Sequence, residues 1–294
     1  MEQTINLGKS KNGKIEFLHE LTKEQFSLYD KSAKELIELN KSSWAFLIVK
    51  QNYFLFMEET LADFKDVNFA EEVPWEFMQE KTIQSNRRLF NFLGSFASYV
   101  DHTKTYLSRK FGKKSEELTE FIKATNFHFD NTFGYRFLCK LRDYTIHCGM
   151  PMGNISATAT RNEKRQVYEN SVTLKFGRNE LLQKFPIKKW GNIIGPELEK
   201  KEEFFSVSNL VYDTMVCIQK MNEISEKFNQ KLIIEATENI VKALEINSEW
   251  NEEYCLLLWK EENEEKSVLV SQIPFHLMRT KKKLPNTVYK KLLF

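Results

Sequence analysis

Glycine and proline are scarce in this chain, at 10 and 6 of 294 residues. Turn-rich β architectures use more of both, so the composition points to helices. Cysteine is scarce as well. Cys139, Cys148, Cys217 and Cys255 stand singly, with no Cys-x-x-Cys. That argues against a disulfide frame and a zinc site, and fits reduced thiols in a cytoplasmic protein. No apolar run approaches the roughly 20 residues that cross a bilayer. The longest, 44–49 (WAFLIV) and 254–259 (YCLLLW), are far shorter, so no membrane association is expected. The N-terminus, MEQTINLGKSKNGK, lacks the apolar core of a signal peptide. The net charge of +2 does not mark a nucleic-acid binder, although 43 Lys and Arg can still cluster locally. What the chain does have is apolar mass. It is 41% hydrophobic and carries 24 Phe, enough for a substantial core.

The periodicity is helical over much of the length. Phe26, Tyr29, Ala33, Leu36 and Leu39 recur at three and four residues, behind Thr22 and Gln25 placed as a capping box. Ser42 or Ser43 is suited to cap a second segment. Its first part, 44–49, reads equally as helix or as a short buried strand. A long helix is expected over 82–110 on the stripe Leu89, Phe92, Phe96, Val100 and Leu107, closed by Gly112. Ser115, Glu116 and Glu117 open another, running to about 126. Asp130 is placed to cap a further helix over 130–148, stopped by Gly149 and Pro151. The first fifteen residues read as polar and loose. Beyond a turn-rich hinge at 150–154, a strand is expected at 172–176 and helices at 204–227 and 233–244. A hairpin is expected from 254–259 and 267–273, stopped by Pro274, and then a basic end. The fold class expected is mainly α with a C-terminal α+β extension that contains a β-hairpin.

Chemistry concentrates at the end of the helix over 130–148, where Arg142, Asp143 and His147 stand close together. Asp143 and His147, four apart, share a helical face. Arg142 and His147, five apart, lie about 140° apart around an ideal helix. They reach one cleft only if the last turn unwinds, the Arg142 side chain bends over, or a second subunit completes the site. A permanent cation that can hold phosphate oxygens, beside a proton-transferring imidazole, suits RNA cleavage by the RNA's own 2′-hydroxyl. That chemistry needs no metal or cofactor, and none is expected, since no cluster has metal-ligand spacing. The bland alternative makes Arg142 and Asp143 surface charges and His147 a partner of the last helix carbonyls. Elsewhere His19 reads as a surface residue, and His102, His128 and His276 as structural. Arg87, Arg88 and Arg109 read as solvated charges, and Cys148 as a buried thiol without a nucleophile's surroundings.

The run Arg142-Asp143-Tyr144-Thr145-Ile146-His147 resembles the Arg-polar-x-x-x-His motif of HEPN-domain proteins. These are helical domains, often metal-independent endoribonucleases of toxin–antitoxin, antiviral-defence and CRISPR-associated systems. The resemblance implies a HEPN-like helical bundle at 80–150, between an N-terminal helical region at 1–79 and the α+β region at 151–294. It implies that Arg142 binds the scissile phosphate, His147 handles the proton and Asp143 orients both, in a homodimer with a composite cleft. RNA and an antitoxin or regulatory protein are the implied partners. The chain departs from the family in having Asp where Asn is commoner, and a hinge and strand after the motif helix. A non-catalytic interaction or sensing module on the same scaffold is the alternative.

Overall fold

The computed structural model describes residues 4–65, 67, 73–152, 154–162, 167–246, 253–262 and 265–279. The basic stretch at 281–291 lies outside them. The chain opens with strands β1 (Ile5–Lys11) and β2 (Lys14–Glu20), where a loose start was expected. Asn12 and Gly13 have φ of 52° and 76°, the left-handed pair that matches a two-residue turn to the twist of its strands. Asn-Gly is the strongest short-range hairpin signal, and it outweighs the polar composition around it. His19 accordingly sits within β2, half-buried.

Helix α1 (Lys23–Phe54) begins on the expected capping box. The Gln25 N–H donates to Thr22 Oγ1 at 3.1 Å, and the Thr22 N–H donates to Gln25 Oε1 at 2.8 Å. The ambiguous stretch at 44–49 is helix, continuous with what precedes it. Ser42 and Ser43 start nothing new; their hydroxyls donate back to the carbonyls of Leu39 and Asn40, each at 2.7 Å. A π-turn (Leu55–Glu59) and the short α2 (Thr60–Ala62) follow. Helix α3 (Trp75–Phe111) starts directly after Pro74, earlier than the expected 82, and ends at Gly112. Ser115 Oγ accepts from the Leu118 N–H at 3.2 Å and caps α4 (Glu116–Asn131). Asp130 therefore lies in the last turn of α4 and caps nothing. Thr132, at φ −128° and ψ 107°, makes the break, and α5 (Phe133–His147) follows at once.

Then come β3 (Asn154–Asn162), β4 (Val167–Gly177), α6 (Arg178–Lys184), α7 (Ile187–Trp190), α8 (Ile194–Glu199) and β5 (Phe204–Ser206). Helix α9 (Val207–Ala243) is a single helix where two were expected. Its 37 residues contain no Gly or Pro to interrupt it. The expected hairpin forms as β6 (Tyr254–Glu262) and β7 (Glu265–Gln272). The protein is mainly helical, with small antiparallel sheets.

The chain divides into two compact units, residues 1–43 with 226–294 and residues 44–225. In the first, the antiparallel sheet β2-β1-β6-β7 joins the ends of the sequence. Leu7 and Leu256 from the sheet pack with Leu36 of α1 and Ile240 of α9 in its core. In the second, α3, α4 and α5 pack together beside the sheet β3-β4-β5. Aromatic rings fill this core. Phe137 and Tyr144 of α5 both stack on Trp190, at 5.4 and 5.9 Å between centroids. Gly134 is there for space, because a Cβ on it would lie 3.1 Å from the Leu210 carbonyl oxygen of α9. Past α5, buried Asn86 of α3 pins the hinge. It donates to the Met152 carbonyl at 2.7 Å and accepts from the Met152 N–H at 3.0 Å.

Among the described residues, two arginines are buried. Arg88, expected as a solvated charge, is 9% exposed and donates to Asp63 at 2.5 Å, with Glu59 at 3.6 Å. Arg136 is 7% exposed. It holds both carboxylate oxygens of Glu197 of α8 through Nε and Nη2, and donates from Nη1 to the Phe129 and Asp130 carbonyls at 3.1 and 3.2 Å. Those are end carbonyls of α4, which have no partner inside their own helix. Replacing Arg136 with Ala strands Glu197, itself 34% exposed, together with two carbonyls. Urea unfolding should show a loss of about 2–3 kcal/mol, at or just under the low end for breaking a buried pair.

His128 is buried, and its pKa is pushed down by burial first and the Lys220 charge second. The unfolded imidazole, with pKa about 6.5, then binds a proton that the folded one resists. Stability from this group is complete above that value and drains away as pH falls below it. Urea unfolding at pH 7.5 and 5.5 should show the acid loss, and His128→Gln should make it smaller.

Candidate functional site

Three helix faces of the second unit enclose one recess of about 270 Å³. Helix α3 contributes Phe96, Ala97, Val100, Asp101 and Lys104. Helix α4 contributes Thr125, Asn126 and Phe129, and α5 contributes Tyr135, Cys139 and Arg142. Each set follows helical spacing. Tyr135, Cys139 and Arg142, at i, i+4 and i+7, form one ridge of α5. Phe137 and Tyr144, seven apart, form the opposite ridge, and their rings on Trp190 settle how α5 is rotated.

That rotation separates the motif residues. Arg142 turns into the recess and is half-buried, while His147 is exposed and does not line it. The helix stays regular to its end, with the Cys148 N–H donating to the Tyr144 carbonyl at 2.7 Å. The roughly 140° between positions five apart therefore remains, and an unwound last turn does not bring the two together. Asp143 is engaged by Lys140, whose Nζ donates to it at 2.9 Å. Both partners are substantially exposed, and such a pair adds little to stability.

The arginines differ in what they hold. Arg88, Arg136, Arg178 and Arg279 are buried or half-buried, and each has hydrogen-bond acceptors. Arg142 is half-buried, and among the described residues its guanidinium has neither a hydrogen bond nor an ion pair. The Lys104 ammonium, also half-buried in this lining, has none either. A half-buried cation without a counter-charge keeps its full capacity to bind an anion.

Deeper in, burial above all pushes the Cys139 thiol up to about 12, against a smaller lowering by its hydrogen bond to Tyr135 and by Lys104. Burial likewise pushes the Tyr135 hydroxyl upward. Both stay protonated and neutral, so the charge of the recess comes from Lys104, Arg142 and Asp101. Of these three, sequence reasoning found only Arg142. Lys104 and Asp101 stand at helical spacing with Val100 and Ala97, a signal that becomes specific only once α4 and α5 close over them.

Among the described residues, no group of three or more His, Cys, Asp or Glu is arranged to hold a metal ion. No described helix is long and apolar enough to cross a membrane. Comparison with protein-family models, curated proteins and solved structures returns no match.

The thiols offer a check on the geometry. Cys139 should resist iodoacetamide at pH 8 in the folded protein. Cys148, at the exposed helix end with its sulfur 3.5 Å from the Lys184 carbonyl, should be alkylated first. Peptide mass spectrometry reads the order, and both should react alike in urea.

Proposed function

We propose that this chain is a HEPN-type, metal-independent endoribonuclease of a defence or toxin–antitoxin system, acting in the cytoplasm as a homodimer. The observation that supports this best is the unpaired guanidinium of Arg142, set in the recess at the end of the Tyr135–Cys139 ridge. Arg142 holds the non-bridging oxygens of the scissile phosphate and offsets the charge that grows on them. The 2′-oxygen attacks phosphorus as its proton passes to the His147 imidazole, and the imidazolium so formed returns the proton to the departing 5′-oxygen. The products are a 2′,3′-cyclic phosphate and a 5′-hydroxyl end. His147 is the proton carrier, and its exposure at the end of α5 leaves it open to substrate. Arg142 and His147 of one copy face different ways, so the cleft takes Arg142 from one copy and His147 from the other. Asp143 takes the polar position of the motif beside Lys140. An antitoxin or regulatory protein that covers this surface would silence it.

One observation favours a non-catalytic interaction or sensing module instead, namely that His147 stands outside the recess that Arg142 lines. Incubation with RNA in EDTA separates the two readings. The proposal expects cleavage with cyclic phosphate ends, reduced about 10²-fold or more in both Arg142→Ala and His147→Ala. RNA left intact by the wild-type dimer, or cut equally by the variants, overturns it in favour of the module.

A further inference from the structure

Beyond Arg142, the recess carries chemistry that cleavage does not use. Its lining combines aromatic walls with two half-buried cations, Lys104 and Arg142, that form no ion pair or hydrogen bond among the described residues. Phe96 and Tyr135 are buried and packed against each other at 6.2 Å. Phe129 is half-buried, and its ring contacts no other ring among the described residues, which leaves a face for stacking. At the rim, Asn126 presents an amide that both donates and accepts, and Asp101 a carboxylate that accepts.

We propose that this recess is a binding site for a nucleoside monophosphate. The phosphate dianion meets Lys104 and Arg142, the flat base lies against Phe129 and the Phe96–Tyr135 wall, and Asn126 reads the base edge. Two unpaired cations match a dianion better than a single carboxylate would. An amide's paired donor and acceptor complement the N6 donor and N7 acceptor of adenine, and Asp101 can accept from the ribose hydroxyls. Size sets the upper limit. At about 270 Å³ the recess falls just below the roughly 300–1,000 Å³ of pockets that take drug-sized ligands. One nucleotide fits this scale and an oligonucleotide does not. Neutral Tyr135 and Cys139 add no negative charge to oppose the phosphate.

The site shares Arg142 with the cleavage reading but does not rest on it: a mononucleotide has no internucleotide bond to break, so binding and RNA cleavage can each fail without the other. Titration calorimetry of the full chain with adenosine 5′-monophosphate, adenosine and inorganic phosphate tests it. The nucleotide should bind one to one, and both fragments should bind at least about tenfold more weakly. Lys104→Gln, which keeps much of the side chain and removes the charge, should weaken the nucleotide about tenfold or more. Ala97→Phe, which fills the recess from α3, should abolish binding while the variant unfolds cooperatively like the wild type. Absence of nucleotide binding at millimolar concentration overturns the proposal. So does adenosine or phosphate binding as tightly as the nucleotide, or an affinity that neither variant changes.

Discussion

A buried guanidinium governs the second unit. Arg136 lies at the corner where α4 ends and α5 begins, with almost no contact with water. A charge there persists only when it is paired and hydrogen-bonded, and Glu197 with the two α4 carbonyls supplies both. The same group thereby satisfies the end of one helix and fixes the start of the next, and it ties both to α8. With Gly134 allowing close approach to α9 and Phe137 and Tyr144 stacked on Trp190, α5 has one rotation about its axis.

The arrangement of the site follows from that rotation. The ridge opposite the Trp190 stack carries Tyr135, Cys139 and Arg142 into the recess, and His147 falls on a flank. The motif residues thus serve three surroundings. Tyr144 and Thr145 are buried, Arg142 lines a concave surface, and Ile146 and His147 are open. The charged neighbourhoods of Arg88, of Arg136 and of the recess also differ. Arg88 and Arg136 spend their charge on carboxylates and hold helices together, whereas the recess keeps the charges of Lys104 and Arg142 uncommitted.

Much of the fold was legible because short-range rules decide it. The Thr22–Gln25 capping box, the Ser115 cap, the stripe of α3 with its stop at Gly112 and the β6–β7 hairpin all depend on residues within a few positions of one another. The misreadings have physical causes. The opening hairpin lies in polar sequence, but Asn12-Gly13 decides its turn and pairing with β6 supports β1. Helix α9 was divided because its apolar stripe is uneven near 228–232, yet nothing there breaks a helix. Asp130 is chemically suited to an N-cap, but the last turn of α4 runs on through it, and Thr132 makes the corner instead.

By itself, the sequence determined the helical character, the starts of α1 and α4, the stops of α3, α5 and α9, and the placing of Arg142, Asp143 and His147 at the end of one helix, since spacing and capping act locally. Only the tertiary structure decided which charges are structural and which remain open. Arg88 and Arg142 look alike in the sequence, and their difference depends on carboxylates and helices far along the chain. The recess likewise joins residues from three helices between Phe96 and Arg142, and it exists only because the burial of Arg136, Phe137 and Tyr144 turns the opposite ridge of α5 toward α3 and α4.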